Sequence, residues 1–128
     1  MEKTIEFKVF LLLTCLLVSV SVNANHYCYG KVKDVQINRG GNVNATIIPL
    51  SGSGFVAASG FFCDLTPTNG ENDPEFCKAL YSTLLTAHAT QSEVTLWFNN
   101  DDIDNKSCNK GDWKNLYKDY GFYHFRVR

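Results

Sequence analysis

The stretch GFYHFRVR near the C-terminus sets His124, Arg126 and Arg128 on alternate positions. On an extended strand these side chains share one face. An imidazole beside guanidinium groups could handle a phosphodiester, with His124 as general acid or base. A small secreted hydrolase such as a ribonuclease would also need a carboxylate there, and no spacing specifies one. G-x-S-x-G and H-E-x-x-H are both absent. His88 closes a helical apolar stripe and reads as a packed or helix-terminal residue. The expectation is a protein without catalysis.

A second set of residues suits recognition. In SEVTLWFNN, Trp97 points opposite to Val94, Leu96 and Phe98 on an alternating strand. Asn99, Asn100, Asp101 and Asp102 follow directly, and Trp113, Tyr117 and Tyr120 lie in or beside the polar stretch 99–120. Flat rings offer a surface to sugar faces, and amides and carboxylates hydrogen-bond hydroxyls. The candidate ligand-binding residues are Trp97, Asn99, Asn100, Asp101, Trp113 and Tyr117. Packing competes with this use. Trp113 is expected to plug one end of the fold, and Trp97 is balanced between packing under the loop and facing a ligand.

Metals and cofactors are not expected. DDIDNK (101–106) holds three close carboxylates but lacks the sixth-position glycine and late glutamate of a calcium loop. It reads as a solvated acidic loop. His26, His88 and His124 are scattered and no C-x-x-C pair exists, which leaves zinc without a ligand set.

Residues 1–24 read as a secretory signal. Lys3 and Lys8 precede the apolar run VFLLLTCLLVSVSV, and VNA supplies small residues before a cut between Ala24 and Asn25. A membrane anchor competes, but the run is short of the roughly 20 residues needed to span. A lipoprotein site at Cys15 fits less well, because Thr14 precedes it and the apolar run continues. The expected location is secreted or periplasmic. Cleavage removes Cys15 and leaves Cys28, Cys63, Cys77 and Cys108. Four cysteines in a small exported domain read as two disulfides, with three pairings open.

The mature chain, 25–128, reads as one domain. The signal carries two acidic and two basic residues, so the net charge of −1 survives its removal. That balance disfavours nucleic acid or an anionic membrane as the main partner. The sequons NAT (44–46) and NKS (105–107) would matter only in a eukaryotic secretory pathway, and the chain reads as bacterial.

Five strands are expected. YCYGKVKDVQINRG alternates but slips phase between Val32 and Val35, which predicts a bulge. RGGN (39–42) turns into VNATIIPL, and SGSG (51–54) turns into FVAASGFFCDL, where Gly60 fits a bend or close approach. After a loop, Asp73-Pro74 caps a helix. Phe76, Cys77, Leu80, Tyr81, Leu84, Leu85 and His88 form its apolar stripe as far as about Thr90. EVTLWFN is the fourth strand and GFYHFRVR the fifth, with Tyr123, Phe125 and Val127 inward. Three strands, one helix and two strands is the order of an OB-fold, a five-stranded Greek-key barrel. An open α+β sheet with one helix on a face is the runner-up.

Barrel geometry selects a disulfide pairing. The first and fourth strands of an OB-fold run antiparallel, so Cys28 at the start of one lies near Cys108 beyond the end of the other. Cys63 then bridges to Cys77 in the first helical turn.

The segment from Phe62 to Asn100 resembles the B-subunit family of bacterial A–B toxins, in its subtilase-cytotoxin and pertussis-like branch. The likeness lies in FFCDL, a loop to a second cysteine, the helix KALYSTLLTAHAT and the aromatic-rich strand SEVTLWFNN. It spans about a third of the chain, and no sugar-contacting residue carries over by identity. The outline is also similar to small secreted OB-fold proteins of marine bacteria. The resemblance implies a non-catalytic binder of a glycan or glycoprotein receptor, assembled as a homo-pentamer and partnered by an A-type toxin chain. A stand-alone inhibitor or protein-binding module is the alternative.

The helix's second face carries Lys78, Ala79, Ser82, Thr83, Thr86 and Ala89. A solvated helix ordinarily carries more charge. Small neutral residues admit a close neighbour, so this face is the candidate oligomer or partner surface. A merely polar exposed face is the competing reading.

Overall fold

Alternation along the first strand, β1 (His26–Ile37), buries Cys28, Gly30 and Val32 and leaves Tyr27, Tyr29 and Lys31 outside. The computed structural model describes residues 26–66, 73–100 and 107–128. The signal, its cleavage site and the acidic stretch with Asp101 and Asp102 lie outside the described residues. β2 (Asn42–Ile48), β3 (Ala57–Asp64), helix α1 (Pro74–Thr90), β4 (Val94–Phe98), helix α2 (Leu116–Tyr120) and β5 (Phe122–Val127) follow. All strand pairs are antiparallel, in the order β3-β2-β1-β4-β5.

β1 changes partner midway. His26–Gly30 pair with β4, and Lys31–Ile37 pair with β2. Gly30 sits at the hand-over, where an added Cβ would overlap the Ile48 carbonyl oxygen and approach Ile47 Cγ2 to 2.6 Å. A side chain there would push β2 away. The expected phase slip is a register shift between Val32 and Asp34.

The sheet is open. The expectation of a closed barrel is corrected here, because β3 and β5 do not pair. Residues 110–115 lie along the outer edge of β3 instead. Lys110 N donates to Val56 O (2.8 Å), Ala58 N to Gly111 O (3.1 Å), Trp113 N to Ala58 O (2.9 Å) and Phe61 N to Lys114 O (2.8 Å). The fold is therefore a mostly antiparallel five-stranded sheet with helices and two disulfides. The bridges are Cys28–Cys108 and Cys63–Cys77, with Cα separations of 5.6 and 5.5 Å. Both match the expected pairing.

Asp73 caps α1 by accepting from Glu75 N at 2.9 Å. The buried stripe is Cys77, Leu80, Leu84 and Ala87. It is narrower than expected, since Phe76 and Leu85 are exposed. A helix crossing a curved sheet buries only its central line. His88 Nδ1 donates to the Val32 carbonyl (3.2 Å) and ties the last turn to β1.

Two further expectations are corrected. In β5, Phe122 is buried and Tyr123 is exposed. The pairing shifts between Trp97 and Phe98, so Phe98 faces Phe122 while Trp97 faces His124, and Tyr123 is the extra residue. The polar stretch 99–120 ends in α2. Asn115 Oδ1 accepts from Lys118 N at 2.9 Å, and Gly121 closes the helix at φ 68°. Leu116 is buried, and its Cδ1 would lie 2.9 Å from a Cβ on Gly60. That contact is the close approach expected at Gly60.

Candidate functional site

On β2, Val43 and Ala45 enter the core, so Asn42 and Asn44 face outward. Asn42 pairs with Asp64 across β3, and Asn44 pairs with Phe61. Asn38 in the preceding turn accepts from Gly40 N (2.9 Å) and Asn42 N (3.1 Å) through its side-chain oxygen. The segment docked on β3 adds Trp113 and Asn115. These seven residues line a cleft of about 440 Å³. Two rings, four amides and one carboxylate meet there, and no lysine or arginine lines it.

The backbone holds Trp113 outward. Its φ is 56°, in the left-handed region that bulky residues rarely enter, and its side chain is 66% exposed. The hydrogen bonds to β3 on both sides over-determine this conformation. Ser59, its near neighbour across the pairing, also has a positive φ of 49°. Ser59 is held by Gln36 Nε2 donating to its Oγ (3.1 Å), by its own N donating to Thr46 Oγ1 (3.0 Å) and by Asn44 Nδ2 donating to its carbonyl (2.9 Å). Each such residue stores about 1–3 kcal/mol of strain, and strain of this kind collects at binding sites. The Asn44 amide nitrogen is used internally, which leaves its Oδ1 as an acceptor. The Asn115 oxygen is used in capping α2, which leaves its amide nitrogen as a donor. The cleft thus offers both hydrogen-bonding senses beside an exposed indole, as a polyhydroxylated ring requires.

No family model and no curated protein matches the chain. The site's own geometry therefore carries the functional reading.

The structure disperses the expected ligand residues. Trp113 belongs to the cleft just described, and its expected burial as a plug is overturned. Asn99, Asn100 and Tyr117 line a separate depression of about 480 Å³ with Lys118, Gly121 and Tyr123. Trp97 lies half-buried on the outer face of β4, against Tyr27 and His124 at ring separations of 6.1 and 4.8 Å. Asp101 lies outside the described residues. Asn38, Asn42, Asn44, Phe61, Asp64 and Asn115 escaped the sequence reading. The NVN of β2, with asparagine at both outward positions, was the available signal.

On α1, Ala79, Ser82, Thr86 and Ala89 are exposed, Thr83 is half-buried, and Lys78 pairs with Glu75 at 3.0 Å. Thr83, Thr86 and Thr90 hydroxyls donate to the carbonyls of Ala79, Ser82 and Thr86 at 2.8–3.0 Å. Their hydrogen-bonding capacity is turned into the helix.

His124 and Arg126 do share an outer face, but the only salt bridge among the described residues is Lys78–Glu75. No carboxylate is therefore ion-paired with His124 there. No metal-capable group of three His, Cys, Asp or Glu occurs among the described residues, and no helix there is long and apolar enough to cross a membrane.

Lys110 is 1% exposed. Its Nζ lies 2.7 Å from His26 Nε2 and sits over the rings of Phe98 (4.5 Å) and Tyr120 (4.8 Å). Burial lowers its pKa from 10.5 to about 8. Above about pH 8 the unfolded chain holds this proton while the folded one releases it, so stability should rise with pH from there toward 10.5. Urea titrations across that range check this, with Lys110→Met expected to flatten the rise. An equal rise in the variant would place its origin elsewhere.

Proposed function

We propose that the mature chain is a secreted, non-catalytic binding protein that recognises a neutral glycan, or the glycan of a cell-surface receptor, in the Trp113 cleft. The observation that carries this reading is the exposed indole of Trp113, held in a strained backbone conformation beside Phe61, four asparagines and Asp64. A ring held outward against its conformational preference has a surface to offer. Amides of both senses then fix the orientation of hydroxyls. The absence of basic residues from the lining favours a neutral sugar over a phosphate ligand.

The reading includes the OB-fold frame as a proposal. The strand order β3-β2-β1-β4-β5, with the helix between β3 and β4, supports it. The chain would also assemble as the toxin-B-subunit likeness implies. The small-residue face of α1 would meet neighbouring copies in a ring or an A-type chain. Light scattering on the oxidised mature protein tests this. A mass about five times the monomer supports the ring. A monomer removes it and leaves the cleft in place.

Binding to a panel of neutral oligosaccharides tests the main reading. Trp113→Ala should weaken binding by about 2 kcal/mol, roughly thirtyfold in Kd, as for a central aromatic anchor. Thermal unfolding should barely change, since the side chain is mostly in solvent. Undiminished binding by Trp113→Ala, or no binding to any neutral glycan, would overturn the assignment.

A further inference from the structure

The outer face of β1, β4 and β5 is organised in rows that the cleft does not use. Tyr27, Trp97 and His124 are cross-strand partners, and so are Tyr29, Thr95 and Arg126. Arg128 follows two residues after Arg126, just past the end of β5. Tyr27 is 50% and Tyr29 is 41% exposed. The ring contacts are continuous: Tyr29 to Tyr27 at 5.2 Å, Tyr27 to Trp97 at 6.1 Å and Trp97 to His124 at 4.8 Å. Arg126 Cζ lies 5.1 Å above the Trp97 ring. Neither Arg126 nor Arg128 forms a salt bridge among the described residues. The Tyr27 phenol raises the pKa of Tyr29, while Arg126 and Arg128 act against it. In the floor of this face Thr95 is 1% exposed, and its hydroxyl has no hydrogen-bond partner among the described residues.

We infer that this face is a second binding site, for a sulfated oligosaccharide. The inference extends the glycan reading to a different surface and a different sugar chemistry. A flat row of rings matches the faces of successive sugar units. Two guanidiniums that form no salt bridge among the described residues match an anion, and charge-assisted forks to a fully ionised sulfate are the strong form of that contact. A sulfate ester has three free oxygens and can accept from several donors at once. A carboxylate has two. Single-stranded nucleic acid would also stack on the rings, but it asks for a longer basic track than two arginines on a chain of net charge −1.

Calorimetric titration of the oxidised mature chain tests the site. The probes are a chondroitin sulfate hexasaccharide, its desulfated counterpart, an oligogalacturonate and an oligothymidylate. The sulfated probe should bind about tenfold or more tighter than each of the others. Combined Arg126→Gln and Arg128→Gln should cost about tenfold or more in that affinity, and Trp113→Ala should change it less than about twofold. Equal binding of oligogalacturonate would move the charge to a carboxylate and overturn the sulfate assignment. Equal binding of oligothymidylate would overturn the sugar assignment. A dimer in light scattering that the two arginine substitutions dissolve would give the face to a second copy and overturn the inference. Neutral-glycan binding that survives without any sulfated binding overturns this site alone. Sulfated binding without neutral-glycan binding overturns the cleft reading alone.

Discussion

Replacing Cys28 and Cys108 together with alanine should lower the unfolding free energy by about 4.5 kcal/mol, against about 3 kcal/mol for Cys63 and Cys77. The difference comes from the separations, 80 residues for the first bridge and 14 for the second. A longer loop removes more freedom from the unfolded chain, and the dependence is logarithmic. The first bridge also ties the start of β1 to the segment that leads onto the edge of β3. Its loss frees the support of Lys110 and Trp113 together. A domain of this size has on the order of 5–15 kcal/mol in all, so the first variant should sit near the edge of folding at 37 °C. Urea unfolding of the two double variants measures both values. A larger loss from the 63–77 bridge would show that native packing around α1, rather than chain entropy, sets the ranking.

Phe98→Ala should be nearly as damaging, at about 3–5 kcal/mol. Phe98 is fully buried. Its ring stacks on His26 at 5.2 Å and 18°, and it meets Phe122 at 6.1 Å and Tyr120 at 6.5 Å. Truncation leaves a cavity that β4 cannot close, because β1 and β5 hold it on both sides. It also removes one of the two rings that face the Lys110 ammonium. Phe98→Leu keeps most of the volume and should lose less, about 1–2 kcal/mol, mainly from the missing ring. Equal losses in the two variants would mean that the aromatic contacts, and not the cavity, dominate. A loss below about 1 kcal/mol in Phe98→Ala would refute the packing argument.

The small-residue face of α1 and the aromatic face of β4 have different standing as surfaces. On α1 the threonine hydroxyls are satisfied within the helix, so a neighbour would meet methyl groups and short side chains. On β4 the exposed groups are rings and guanidiniums whose attractions point outward. A binding partner gains more from the second kind of surface, since aromatic and arginine side chains dominate binding energetics.

Local chemistry made much of the fold legible. The Asp73-Pro74 cap, the β1 bulge and the alternation of Val94, Leu96 and Phe98 follow from residue preferences that act within a few positions. The two disulfides followed from the OB-fold frame, whose first and fourth strands lie antiparallel and place Cys28 beside Cys108, leaving Cys63 to Cys77. The sequence also marked Trp97 and Trp113 as rings of interest. It could not say which one stands in solvent, because that depends on where 110–115 docks. Nor could it show that Tyr123 is the extra residue of a bulge, since GFYHFRVR carries no phase slip like that between Val32 and Val35, and the shift lies in the pairing with β4.

What the sequence determined by itself is therefore the five strands and the helix after Asp73-Pro74, the cysteine pairing once an OB-fold frame is assumed, and an aromatic, amide-rich polar surface. The tertiary structure decided that the sheet stays open and that residues 110–115 cover the edge of β3. It also decided that Asn38, Asn42, Asn44, Phe61, Asp64, Trp113 and Asn115 share one cleft. The physical reason is range. Caps, turns and periodicity act between residues close in the chain, whereas the cleft joins three segments up to 77 positions apart, from Asn38 to Asn115. Only the pairing of β2 with β3, and of β3 with the docked segment, brings those segments together.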